Sequence, residues 1–188
     1  MNNDYFNLLR NSIARCSKLD NAKSVYECGV FRGLSAGIIA EALEDTQIEL
    51  KLFDTFSGIP HASKEDNMHC VGDFSNTSIE LVKEKLSCYR NVSYHVGRIP
   101  DTFDLADKNI CFAHLDVDVY QSYVDCLSFL NERMCIDGEI ICHDYNYGSC
   151  LGANQAIDEF LLNNKNYNIF FVRNGTGDEK SIGFKRLS

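Results

Sequence analysis

The sequence predicts an open α/β fold: a mostly parallel sheet of about seven strands, covered by helices on both faces and finished by an antiparallel hairpin. Three observations carry this reading. Short apolar strands alternate with segments of helical period through most of the chain. No helix separates the last two strands, and Asn174-Gly175-Thr176-Gly177-Asp178 between them has the composition of a tight turn. Glycines and acids stand where the apolar strands end, which is where such sheets hold their ligands.

Residues 4–18 predict a helix from the spacing of Tyr5, Leu8, Leu9, Ile13 and Ala14, within an N-terminal helical segment spanning 1–20. That helix is expected to cover the sheet edge or the ligand site, or to pair with a second subunit as a homodimer. Residues 24–27 form a short strand, followed by Gly29 and Gly33, and 34–44 form a helix rich in Ala and Ile. Strand 47–54 ends in an acid. Residues 55–75 show no period and are long enough for a lid over a site. A helix over 77–88 and a strand over 92–96 follow, then Gly97 and, near Pro100, a short helix. The apolar strand 110–115 runs into Asp116-Val117-Asp118, with a helix over 121–134. Strand 138–142 runs into His143-Asp144-Tyr145, with a helix over 152–162 and strands over 168–172 and 181–187.

The 188 residues suit one domain, 1–188, with a sizeable core. Acids outnumber bases, 27 against 18, for a formal charge of −9. This excludes a broad basic patch, so no nucleic-acid partner is expected. No apolar run approaches the ~20 residues that span a bilayer, and residues 1–10 lack the apolar core of a signal peptide, so no membrane partner is expected. The nine cysteines are scattered with no CxxC pair. They read as small buried hydrophobes in a reducing compartment, the cytoplasm, and no clustered zinc ligands are visible.

Two strand ends point to a cofactor. Gly29 permits a tight turn and close approach of a ligand. The helix start from Gly33 to Ser35 offers free N–H groups to a polar ligand. Glu27, just before the turn, can bind an amino group, and Asp54 can accept both hydroxyl hydrogens of a ribose. The glycine pattern is not GxGxxG, which disfavours a nicotinamide dehydrogenase. Two further strand ends carry Asp116, Asp118, His143 and Asp144. Carboxylates at that density favour a cation; oxygen ligands suit Mg²⁺, and a histidine turns the preference toward Mn²⁺ or Fe²⁺. Helix capping by Asp116 or Asp118, and a loop-holding role for His143 or Asp144, remain open. Asp116 and Asp118, two apart, face opposite ways if extended, so both are not expected on one metal.

Taken together, Glu27-Cys28-Gly29-Val30-Phe31-Arg32-Gly33, Phe53-Asp54-Thr55-Phe56-Ser57-Gly58-Ile59-Pro60, Gly97-Arg98-Ile99-Pro100-Asp101-Thr102-Phe103, Leu115-Asp116-Val117-Asp118-Val119-Tyr120, His143-Asp144-Tyr145, Gly152-Ala153 and Asp158-Glu159-Phe160 resemble the macrocin O-methyltransferase family. The resemblance implies a Rossmann-like class I methyltransferase that moves a methyl group from S-adenosylmethionine to a hydroxyl of a sugar or glycan. It implies Glu27 and Gly29 at the methionine part of the donor and Asp54 at its ribose. Arg32, Gly33, Ser35, Thr55, Gly97 and Asp116 complete the expected cofactor-binding set. A divalent metal, Mg²⁺ or Mn²⁺, would be held by Asp116, His143 and Asp144. The chain departs from the family at His143, where a neutral imidazole replaces one of two adjacent acids. That makes His143 a candidate general base, with Asp116 in reserve. A catechol-like or natural-product O-methyltransferase, and a non-catalytic S-adenosylmethionine binder, are the alternatives.

Overall fold

The computed structural model describes residues 3–173 and 181–188. In chain order the elements are α1 (Asn3–Cys16), β1 (Ser24–Cys28), α2 (Leu34–Ala42), β2 (Glu49–Asp54), α3 (Ile79–Lys85), β3 (Val92–Val96), β4 (Ile110–Leu115), α4 (Tyr120–Asn131), β5 (Met134–Cys142), α5 (Leu151–Asn163), β6 (Tyr167–Arg173) and β7 (Ser181–Arg186). The seven strands form one sheet in the order β3-β2-β1-β4-β5-β7-β6. Only β7 runs against the rest, paired antiparallel to both β5 and β6. This is the Rossmann-like arrangement expected from the sequence. The strand order reverses between β1 and β4, where a ligand crevice opens beyond the carboxyl ends.

β1 and β4 are buried at every position, as central parallel strands covered on both faces must be. Alternation sends Val25, Leu50, Leu52 and Phe112 to one face, under Tyr5, Leu9 and Ile13 of α1 and Ile39 and Ala40 of α2. It sends Tyr26, Phe53, Ala113 and Leu115 to the other, under Tyr123 and Leu127 of α4 and Ala153 and Ile157 of α5. Helix α1 packs on α2, β4 and β5. Its apolar stripe is therefore spent on the middle of a sheet face rather than on an edge. Arg15 anchors its end with two 2.9 Å hydrogen bonds to the Glu139 carboxylate on β5.

The structure departs from the predicted elements in several places. Residues 100–106 make turns, not a helix: Phe103 N–H donates to Pro100 and Asp107 N–H to Asp104, each a single three-residue turn that does not propagate. Helix α4 stops at Asn131 and β5 begins at Met134, earlier than predicted. The β4–β5 register shifts from Ile110↔Met134 to Phe112↔Glu139, so β5 spends extra residues in a bulge. Asp137 takes φ 64 there, and Gly138 has no room for a Cβ, which would meet the Cys135 carbonyl at 2.9 Å. Residues 55–78 contain no helix or strand, in keeping with the lack of period over 55–75. They are tied across by Ile59 N–H to Asp73 O and Gly72 N–H to Ile59 O, both 2.9 Å. The predicted turn at 174–178 lies outside the described residues.

Two glycines with opposite environments test this packing. Gly29 has φ 83, and a Cβ on it would stand 1.8 Å from the Asp116 carbonyl oxygen. Gly29→Ala is expected to lose about 2–4 kcal/mol of stability. Gly37, inside α2, would place a Cβ in ordinary contact with Leu86 at 3.8 Å. Gly37→Ala should gain up to about 1 kcal/mol from helix propensity. Urea midpoints of the two variants, at unchanged slope, measure both.

Candidate active site

A cavity of about 300 Å³ opens at the carboxyl ends of the strands. Gly29 follows β1, Asp54 and Thr55 close β2, Gly97 follows β3, Asp116 and Asp118 follow β4, and His143 and Asp144 follow β5; all line it. The lid adds Gly58, Ile59, His69 and Phe74, and the segment before α5 adds Cys150. Among the residues expected from sequence, Glu27, Arg32, Gly33 and Ser35 are not on the cavity wall. Arg32 points outward to donate to the Asn76 carbonyl at 2.9 Å. Gly33, at φ 70, starts α2 and packs against Val82 of α3. Ser35 is buried, and its hydroxyl favours the charged form of Glu27.

The position of Glu27 follows from strand periodicity. It lies opposite His114 in the parallel register, and both side chains face α1. His114 Nδ1 is 3.0 Å from Glu27 Oε1, and His114 Nε2 is 2.7 Å from the Tyr5 hydroxyl. Burial pushes the Glu27 carboxyl above the usual range, against the pull of its bond to His114 and of the Ser35 hydroxyl. A polar chain from α1 to β1 thus underlies the glycine turn.

Asp54 organises the donor half. Its Oδ2 accepts from Val30 N–H at 2.7 Å and Phe31 N–H at 2.8 Å, and its Oδ1 from Phe56 N–H at 2.7 Å. One carboxylate thereby holds the turn after β1 and the start of the lid. Three of its roughly four acceptor positions are used, which leaves about one for a ligand hydroxyl.

The chemical half centres on His143. Its Nδ1 lies 2.9 Å from Asp144 Oδ1 and 3.1 Å from Asp116 Oδ1. Burial works against charge on the ring, but the Asp116 charge and the hydrogen bonds to both acids overcome it and push His143 up to about 11. His143 thus already carries its proton near neutrality, unlike the free imidazole the sequence suggested. Burial opposes ionisation of Asp116 too, yet the imidazolium holds it below the usual carboxylate range. Asp144 is pushed up, by burial and by the Asp116 charge. The Tyr123 hydroxyl of α4, 3.0 Å from the Leu115 carbonyl and 2.9 Å from that of His143, ties the two strand ends together.

Asp116, His143 and Asp144 do converge as the sequence expects. An imidazole between two carboxylates is a poorer set for Mg²⁺ than three oxygen ligands. The His143 ring stands within 3.1 Å of both acids, at the point where a metal would also sit. Asp118, at φ 59 rather than extended, lines the same cavity as Asp116 but groups with His69 and Cys150. Sequence reasoning missed those last two, because nothing near either residue signals the other.

The protein-family model for macrocin-O-methyltransferase (TylF) matches residues 3–169. No curated protein sequence matches the chain. Among solved structures, the O-methyltransferase NovP superposes with a TM-score of 0.79 at 21% identity, over 98% of this chain and 80% of NovP. The calicheamicin methyltransferase CalS11 gives 0.75 at 15% identity, over 95% and 77%. An O-methyltransferase from Bacillus cereus in complex with SAH gives 0.69 at 11% identity, over 100% and 82%. At these identities the structures establish a shared fold, whereas the family match spans most of the chain: it belongs to the macrocin O-methyltransferase family and is an O-methyltransferase.

Proposed function

We propose that the chain transfers a methyl group from S-adenosylmethionine to a hydroxyl of a sugar or glycan. One observation supports this above the rest. The glycine turn with its ribose-type acid and the Asp116–His143–Asp144 group face one cavity. Gly29 leaves backbone space that any Cβ would fill, and Asp54 keeps an acceptor position free, so these residues fit the donor. CalS11, which shares the fold, is described as a TDP-rhamnose 3'-O-methyltransferase, which favours a sugar acceptor. The apolar wall of Phe31, Phe53, Ile59, Phe74 and Ile99 favours a second reading, a catechol-like or natural-product acceptor. We place the reaction in the cytoplasm. All nine cysteines are free, and among the described residues no helix is long and apolar enough to cross a membrane. Nucleic acid is not among the proposed partners, and a homodimer remains part of the proposal.

When bound, S-adenosylmethionine supplies an electrophilic methyl group for direct in-line transfer. Asp54 and the Gly29 turn hold the donor, with Thr55 and Gly97 beside them. Asp116, ionised and on the cavity wall, receives the acceptor's hydroxyl proton. His143 positions Asp116 and offsets its charge, and Asp144 fixes the ring from the other side. No metal is assigned to these three residues.

Calorimetry with S-adenosylmethionine tests the first step: saturable binding is expected, and folded protein that binds nothing at millimolar donor refutes the reading. Asp54→Asn should weaken donor binding by about 10–100-fold. Asp116→Asn should lower kcat by about 10²–10⁴-fold with donor affinity largely kept, against a panel of nucleotide sugars and catechols. Added Mg²⁺ is expected to leave turnover unchanged.

The raised value of His143 sets a pH signature. An imidazole at about 11 when folded, against roughly 6.5 unfolded, contributes stability that is complete below pH ~6.5. That contribution is lost as the pH rises toward about 11. The stability gap between the parent and His143→Gln should therefore shrink steadily from neutral to alkaline pH. A gap independent of pH, measured by urea unfolding, would show that the ring is not charged.

A further inference from the structure

His69 of the lid, Asp118 after β4 and Cys150 at the start of α5 meet on the cavity wall. One ligand atom from each lies within 4.8 Å of the other two. His69 Nε2 is 3.4 Å from Cys150 Sγ. A tetrahedral ion with bonds of about 2.0 Å to nitrogen and about 2.3 Å to sulfur holds those atoms about 3.5 Å apart. Ring and thiol therefore already stand close to one edge of a zinc tetrahedron. Behind the ring, Asp73 Oδ2 lies 3.8 Å from His69 Nδ1, on the side where metal-bound histidines are steered by a carboxylate. Asp118 takes φ 59, a left-handed backbone that a non-glycine residue adopts at a cost and that concentrates at functional sites.

We propose that His69, Asp118 and Cys150 bind a zinc-class divalent ion, with the fourth coordination position open to the cavity. A thiolate, an imidazole and one carboxylate select Zn²⁺ over Mg²⁺. Three protein ligands with one open position are the pattern of reactive rather than purely structural zinc. On binding, the Cys150 S–H bond breaks, a sulfur–metal bond forms and the proton leaves to solvent, with no change of oxidation state. The ion joins the lid to the loops after β4 and β5, and so holds the lid down over the cavity. Under the methyl-transfer reading the open position faces the acceptor. The test below does not use turnover, so the two readings fail separately.

The experiment is a Co²⁺ titration of the full chain in a Cys70→Ser, Cys88→Ser background, which removes the two exposed thiols. One equivalent of Co²⁺ should produce thiolate-to-cobalt absorption and the visible bands of a tetrahedral ion, and Zn²⁺ should displace both. An ion at Asp116, His143 and Asp144 has no sulfur ligand and gives no thiolate band. Cys150→Ser should abolish that band, and His69→Ala should weaken cobalt binding by at least about tenfold. Asp118→Asn keeps both the thiol and the ring, so it tests the third ligand with less risk to folding; its visible bands should shift. Circular dichroism checks that each variant is folded. Absence of a thiolate band in the parent, or an undiminished band in folded Cys150→Ser, overturns the proposal. So does a visible spectrum in Asp118→Asn identical to that of the parent.

Discussion

No side chain fits between Gly29 and Asp116. The turn after β1 lies so close to the first residue beyond β4 that a methyl group there would overlap the Asp116 carbonyl. This approach is continuous with the sheet itself. Asp116 N–H donates to Cys28 O at 2.9 Å, Gly29 N–H to Phe53 O at 3.0 Å, Gly97 N–H to Asp54 O at 3.0 Å and His143 N–H to Leu115 O at 2.8 Å. The site residues are thus held by the last rungs of the parallel ladder, and the cavity inherits the rigidity of the core below it.

That frame gathers Asp54, Asp116, Asp118 and Asp144 around one cavity in a chain that is already acidic. Each acid is handled differently. Asp54 is satisfied by three backbone N–H groups. Asp116 and Asp144 share the His143 imidazolium, and the sharing drives their proton affinities apart. Asp118 has neither provision, and burial with the neighbouring charges of Asp144 and Asp116 pushes its carboxyl well above the usual range. Below the cavity floor, Glu27 is paired with His114 at 3.0 Å. The His143 ring between Asp116 and Asp144 thus offsets charge where the two strand ends meet.

The lid and the N-terminal helix complete the site from opposite sides. The lid is anchored by Asp66, whose Oδ1 accepts from Tyr120 N–H at 2.7 Å at the start of α4 and whose Oδ2 accepts from Ser63 N–H at 2.8 Å. Gly152 leaves room for that carboxylate, since a Cβ there would meet Asp66 Oδ1 at 2.1 Å. Helix α1 supports the opposite side, with the Tyr5 ring edge-on to His143 at 5.5 Å between centroids.

The amino-acid sequence by itself determined the fold class, the antiparallel final strand and the strand-end residues Gly29, Asp54, Asp116, His143 and Asp144. These are local matters: apolar alternation marks a buried strand, and a polar residue just past it can only lie at the strand's end. Tertiary structure decided what those residues face. Glu27 stands one residue before a strand end, and the period of two turned it toward His114 and away from the cavity. The proton on His143 depends on two acids brought within 3.1 Å, a distance no sequence spacing encodes for Asp116. The meeting of His69 with Cys150 depends on where the lid crosses the sheet, and only the folded chain measures that distance.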